Sequence, residues 1–501
     1  MFVKKNSCKN GRILLTFTRS FRENGKNKQK HIETIGYLDD LEKIYDDPIA
    51  HFREIARQRT AEEAMQNQPI ELLLDPKTEI SQYEVGLKNL GYVVFEKLYH
   101  ELGIHTFFAR HENRLKIDFN LNAIFRLLVY SRLLNPGSKK KAYDNQSQFF
   151  ETMAPSLEAV YRSLDYYDRF NLDLQRWLNE RVKKQYGRNH DYAYYDVTNY
   201  YFEIDEEDEL RRRGPSKEHR PNPIVQMGLL LDSRGLPLAY HLFPGNQSEK
   251  RSLNPLLNRL KEDYGLGRLV VVADKGLNCG DNIACQLAQG NGYIYSQSIR
   301  GADQEFKQFV LDPAGYQPNG EHSKVKSRVY PKEIRFTDAQ GKKQKIRVDQ
   351  KQVVFYSQDY ADKARYERNR TVAKARRYLR SPSNLNLALA YSAASYIKGV
   401  QYDKNGEIIE TKSTLYLDEA KIREEEQFDG YYAIVTSELD KTDAEIIEAY
   451  HGVFGRLSRP SRSPSLTCGP GRSTSRWKHI LKRIFLTCFV ALLFSRVLEL
   501  R

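Results

Sequence analysis

Tyr194-Tyr195-Asp196-Val197-Thr198-Asn199-Tyr200-Tyr201-Phe202 and, further on, Leu269-Val270-Val271-Val272-Ala273-Asp274-Lys275-Gly276 decide how this chain reads. Each is a run of β-branched and aromatic residues that holds or ends on an aspartate. Such runs form strands. A carboxylate set beside a buried strand is costly unless its charge has a partner. A divalent cation is one such partner. Mg2+ takes hard oxygen ligands and keeps several waters, so two or three carboxylates from different elements suffice. One Asp of this kind reads as a strand-end cap or turn former. Two, on strands of one unit in a basic chain, read as a metal site with Asp196 and Asp274 as ligands and catalytic groups.

The surrounding pattern predicts an α/β unit. Strands are expected over 192–202, 225–232, 236–243 and 268–273, with a helix over 251–264 before the last of them. A helix over 279–288 and a strand over 293–298 follow. Three strands, a helix, a strand, a helix and a strand make a layered α/β arrangement. Upstream, 12–18 and 30–35 read as strands around a polar Lys, Asn and Gly turn, and 48–67 as a helix. Residues 85–190 are mostly helical, with apolar three- and four-residue spacing over 91–102 and 121–134. Residues 300–428 are polar and punctuated. They carry short β-like runs (345–349, 352–356) and a basic helix over 360–380, and they read as an inserted domain. The core resumes with a strand over 431–436 and a helix over 443–450, and a helix over 485–500 closes the chain. The expected organisation is a β module at 1–48, a helical DNA-binding region at 49–190, a catalytic core at 191–300, a β-rich insertion at 301–428, and the last core strand and helices at 429–501.

Composition narrows the function. At 501 residues the chain suggests about three folding units of ~150 residues. With 40% hydrophobic and 29% charged residues it holds enough apolar material for sizeable cores, which excludes wholesale disorder. Lys and Arg number 79 against 65 Asp and Glu, a formal +14 that favours a polyanion, nucleic acid first. The surplus is uneven. Residues 452–483 hold no acidic residue and eight basic ones, without which the charge falls to +6. The 5 cysteines are scattered with no CxxC pair, which speaks against a structural zinc or a disulfide framework and fits a reducing cytoplasm. No signal peptide is expected from the N-terminus. The longest apolar run, 485–494, is far short of the ~20 residues of a membrane helix, so no membrane partner is expected.

These motifs also carry a resemblance. Asp196-Val197-Thr198 followed by Phe202 resembles the first-carboxylate motif of bacterial insertion-sequence transposases of the DDE, RNase H-like class. Phe243-Pro244-Gly245-Asn246-Gln247-Ser248-Glu249 resembles that family's Pro-Gly-Asn turn. Val271-Val272-Ala273-Asp274-Lys275-Gly276 resembles its second-carboxylate motif. Asp429-Gly430-Tyr431-Tyr432-Ala433-Ile434-Val435-Thr436 resembles the strand before its last helix, and the stretch 36–48 is also similar. The resemblance covers nearly the whole chain. It implies an RNase H-like mixed sheet flanked by helices and interrupted by a β-rich insertion. It implies metal-dependent nicking and strand transfer of DNA ends, with two Mg2+ (or Mn2+) ions in an intact site, and a homodimer on paired ends. The enzyme would be a cytoplasmic protein, on the nucleoid when bound to double-stranded DNA.

The resemblance also implies a third carboxylate, a Glu on the last helix: Tyr, two residues, Arg, three residues, Glu, six residues, Lys. Tyr450 matches the Tyr, but the other positions hold Val453, Leu457 and Pro464. Pro460, Pro464 and Pro470 break a helix where the family has one. A shifted reading frame over 453–484 accounts for this. The alternative is a natural basic arm that binds phosphates. Glu448, two residues before Tyr450, is the nearest substitute.

Other cations are candidates for phosphate contact: Arg211, Arg212, Arg213, Lys217 and Arg220 beside the first Asp, Lys275 beside the second, and Arg368, Arg376 and Arg377 on the basic helix. Internal charge pairing or a solvated face is the plain alternative for each. Thr198 could orient Asp196. The expected function is a transposase, impaired in this copy. The alternatives are an RNase H-like nuclease that cuts without joining, and a catalytically dead DNA-binding remnant.

Overall fold

The structure is a computed structural model. It describes residues 2–8, 11–23, 26–66, 88–150, 155–202, 204, 206–214, 222–338, 340–380, 393–398, 401–402, 408–409, 415–457 and 477–501. Two compact units are present, one of residues 1–115 with 147–152, the other of 116–146 with 153–501.

The first unit opens with an antiparallel sheet of β1 (Phe2–Ser7), β2 (Ile13–Glu23) and β3 (Lys26–Tyr37), in that order. The sequence predicts only the last two. Phe-Val-Lys-Lys-Asn-Ser is too polar to register as a strand, and it becomes one by pairing with β2, from Phe2↔Thr18 to Ser7↔Ile13. Central β2 buries Leu15, Thr16, Phe17 and Thr18 in succession. Phe17 meets Phe52 of helix α1 (Pro48–Gln66) edge to face at 6.2 Å. Pro48 suits a first helical turn, where its missing N–H costs nothing. Helices α2 (Tyr92–Glu101) and α3 (Ile104–Glu112) complete the unit.

The second unit begins with α4 (Leu121–Leu134), α5 (Leu157–Arg169) and α6 (Asn171–Tyr186). Asn120 caps α4 by accepting from the Ala123 N–H at 2.8 Å, and Ser156 caps α5 through Ala159 at 3.1 Å. Then come β4 (Tyr192–Tyr201), β5 (Ile224–Leu231), β6 (Pro237–Pro244), α7 (Leu253–Tyr264), β7 (Val270–Ala273), α8 (Gly280–Ala288) and β8 (Gly292–Gln297). After them lie β9 (Gln317–Pro318), β10 (Ser323–Thr337), β11 (Lys343–Ser357), α9 (Gln358–Arg380), α10 (Glu419–Glu426), β12 (Tyr431–Thr436), α11 (Asp443–Leu457) and α12 (Trp477–Glu499).

Nine of these strands form one mixed sheet, ordered β6-β5-β4-β7-β8-β12-β11-β10-β9. Strand β5 runs antiparallel to β4 and β6, whereas β4, β7 and β8 run parallel to one another. Strand β7 shows why. Val-Val-Val-Ala is buried throughout, the pattern of a parallel strand covered on both faces. Val271 and Ala273 pack among Leu256 and Leu260 of α7 and Ile283 of α8. Val270 and Val272 pack among Ile446, Ala449 and Tyr450 of α11 on the other face.

The insertion differs from its reading in one respect. Where the sequence shows two short β-like runs, β10 and β11 form a continuous hairpin of 15-residue strands. One half of β11 pairs with β12, from Lys351↔Thr436 to Tyr356↔Tyr431, so the hairpin widens the main sheet. The other half rests Ile334, Ile346 and Val348 on the core around α8. Charged residues alternate with apolar ones along that half, so its strand character is visible only once a partner covers the inner face. Phe485, Leu486, Phe489, Val490, Leu493 and Phe494 of α12 are all buried. Among the described residues no helix is long and apolar enough to cross a membrane.

Candidate active site

Strands β4 and β7 are parallel neighbours whose register ends at Tyr195↔Ala273. The next residue on each strand is Asp196 and Asp274. The two aspartates therefore stand side by side across strands spaced about 4.8 Å apart. Alternation puts Asp196 on the face of Tyr194, whose hydroxyl donates to the Ala449 carbonyl of α11 at 2.8 Å. By the same period Asp274 shares the face of Val272, also packed toward α11.

Asp274 is held at one oxygen. Its Oδ1 accepts from the Lys275 N–H at 2.7 Å and from the Ser296 hydroxyl at 2.8 Å. Its Oδ2 has no protein partner among the described residues. Ser296 ends the apolar part of β8 and is 2% exposed. The Tyr432 hydroxyl donates to that of Tyr450 at 2.8 Å. Burial pushes both phenols up from their ordinary range, so they stay protonated. Beside them opens a cavity of about 370 Å³, lined by Asp274, Lys275, Ser296, Arg300, Tyr360 and Tyr432 among others.

The donor set suits a hard, hydrated cation. Both groups are carboxylates, one oxygen of Asp274 is uncommitted, and the cavity has room for the waters Mg2+ retains. Among the described residues no three His, Cys, Asp or Glu side chains are placed to hold a metal together. Strand register sets the two aspartates next to each other, and no third acid among the described residues completes a metal-holding group.

Helix α11 packs on this face of the sheet. Ile446, Ala449 and Tyr450 form its buried face. Leu457 follows Tyr450 by seven residues along the helix. Its backbone is helical, and its side chain, like that of Val453, lies outside the described residues. Glu448 is exposed and sits about 200° around the helix from Ile446, so it is not brought to Asp274.

The cations separate into two groups. Arg211 is buried and paired with Asp208 at 2.7 Å, and Arg212 pairs with Glu207 at 3.3 Å. The Arg213 N–H donates to Glu207 at 2.8 Å. Arg368 is 5% exposed and pairs with Asp429 and Glu426. For Arg211 and Arg368 the expectation of phosphate contact gives way to internal pairing, because a buried guanidinium needs an anion of its own. Lys217 and Arg220 lie outside the described residues. Lys275, Arg376 and Arg377 are exposed with no ion pair among the described residues. Arg376 and Arg377 line a cleft of about 730 Å³ with Arg380 and with Arg423 of α10. Thr198 shares the face of Asp196, two residues along β4.

Sequence reasoning missed Ser296, Tyr432 and Gln226. The signal for Ser296 was a small polar residue one step beyond the apolar part of a parallel strand, as Asp274 is on β7. Gln226 is fully buried on β5 and donates to the Gly245 and Gln247 carbonyls, which holds the Pro-Gly-Asn turn. Gly245 is obligatory there, since a Cβ would sit 2.1 Å from the Ile224 carbonyl oxygen.

Residues 3–69 match the family model described as IS1634 family transposase, N-terminal domain. The head of the chain is thus similar to part of an insertion-sequence transposase, and the match supports a transposase. Among curated proteins nothing matches. Among solved structures the chain is similar to a piggyBac transposase, determined by cryo-EM in a synaptic complex with hairpin DNA. The identity is 10% and the TM-score 0.34, over 74% of this chain and 65% of that one.

Proposed function

We propose that the protein is a DDE transposase with an RNase H-like core, built to cleave DNA ends and join them to target DNA with a divalent cation, and impaired in this copy. The observation that carries this is the juxtaposition of Asp196 and Asp274, one step beyond the paired residues Tyr195 and Ala273 of parallel strands. The mixed sheet with helices on both faces supports the core that the motifs imply.

In this reading Asp196 and Asp274 hold Mg2+ or Mn2+. When bound, the cation supplies Lewis-acid activation of an attacking oxygen and neutralises charge developing on the phosphodiester. The chain's own groups do the rest. Lys275, exposed next to Asp274, meets a phosphate at the site. Arg376, Arg377 and Arg380 track DNA backbone away from it, since unpaired cations on one helix favour a polyanion. Arg368 and Arg300, paired with Asp429, tie α9 to the start of β12 and so to the site's wall.

Leu457 at the third-carboxylate position favours a second reading, a remnant that binds DNA ends without cutting. The test is a supercoiled plasmid carrying the element ends, incubated with the protein and Mn2+. Joined products support the transposase. Cuts without joining support a nuclease, and a mobility shift without cutting supports the remnant. Sequencing the gene around codons 452–485 tests the damage, which requires a second frame encoding an amphipathic helix with Glu.

A further inference from the structure

We propose that Ser296 is a positioning residue for Asp274. It locks the carboxylate at Oδ1 and leaves Oδ2 for the cation. The inference rests on the metal reading of Asp196 and Asp274.

Register places Ser296 there. Strands β7 and β8 pair through Ala273↔Tyr295, so the following residues, Asp274 and Ser296, are adjacent. The Lys275 N–H alone fixes one oxygen but lets the carboxylate swing about that bond. A second donor on the same oxygen, from a neighbouring strand, removes the swing and makes the two oxygens inequivalent. A serine hydroxyl has one proton, and here it goes to Asp274 Oδ1 at 2.8 Å. Ser296 Oγ then has lone pairs to accept from a neighbour. Nearby, the Tyr432 hydroxyl donates to that of Tyr450 at 2.8 Å. The Ser296 hydroxyl donates to Asp274 from β8, and the Tyr432–Tyr450 pair of β12 and α11 stands beside it. Ser296 is 2% exposed, so little solvent competes for its bond to Asp274. Partners that orient a metal-ligating carboxylate are worth roughly 10- to 100-fold in metal affinity.

The experiment is titration of the full chain with Mn2+, reading free Mn2+ by electron paramagnetic resonance, with thermal unfolding measured alongside. Ser296→Ala is expected to weaken Mn2+ binding about tenfold without changing the melting temperature. Ser296→Thr, which keeps the hydroxyl, restores most of the affinity. Tyr450→Phe keeps the ring and removes the neighbouring hydroxyl, and it shifts affinity in the same direction by less. Should Ser296→Ala fail to fold, Tyr450→Phe and Ser296→Thr carry the comparison. Wild-type affinity in both Ser296→Ala and Tyr450→Phe, with Asp274→Asn losing the metal, overturns the positioning role and leaves the metal site standing. Wild-type affinity in Asp274→Asn, or no Mn2+ binding by the native chain, overturns the metal reading and this inference with it.

Discussion

Asp196 and Asp274 are each one residue past an apolar pair, and that single step makes them neighbours. Replacing either with Asn keeps the shape and removes the charge. Plasmid cleavage in Mn2+ is expected to fall about 10²- to 10³-fold, the scale of losing one group that stabilises transition-state charge, with circular dichroism unchanged. Gly430 shows the opposite kind of constraint. Its φ is +83°, and a Cβ there would lie 2.6 Å from Tyr356 Cε2 and 2.8 Å from Ala361 Cβ. Gly430→Ala is expected to cost about 1–3 kcal/mol, measured by urea unfolding, because neither neighbour is a flexible chain end. The carboxylates were legible in the sequence because an acid in an apolar strand is anomalous. Ser296 was not, because a serine at a strand end is ordinary until the register sets it against Asp274.

At the scale of elements, α9 joins a buried function to an exposed one. Ala361, Arg368, Val372 and Ala375 face inward, while Arg376, Arg377 and Arg380 line the outer cleft. A simultaneous change of those three outer arginines to Ala should lower DNA affinity and reduce the salt slope by about 0.9 per lost phosphate contact, measured by anisotropy across a salt series. Arg368→Ala should instead lower stability, since it leaves the buried Asp429 with only the more distant Arg300 at 3.5 Å. From sequence alone these arginines read alike; burial is what separates them. Helix α11 brings a second test. Burial lowers the pKa of His451, which is ringed by Phe355, Tyr432 and Tyr450, and burial with Arg188 lowers that of His190. Both are neutral when folded and take up protons more readily when unfolded. Their contribution is therefore present above about pH 6.5 and is lost as pH falls below it. Melting temperatures between pH 7.5 and 5 should drop, and His451→Asn should flatten part of that drop.

At the scale of the whole molecule, the nine-stranded sheet unites the stretch that reads as a core with the stretch that reads as an insertion. Strands β4, β7 and β8 lie inside it and are covered on both faces. Their amides should exchange slowest, and those of the outer half of β10 and β11 earlier, by native-state hydrogen exchange read by mass spectrometry. The sequence by itself determined which segments become strands and helices in the core, because hydrophobic period is local. It also determined that two aspartates would be costly to bury, and that a leucine, Leu457, stands seven residues after Tyr450. Only the tertiary structure decided which cations are spent inside and which face outward. It also decided that β1 exists at all, that the hairpin joins the main sheet, and that Ser296 meets Asp274. Those outcomes depend on which strand lies beside which, and pairing between distant segments is set by the packing of the whole sheet.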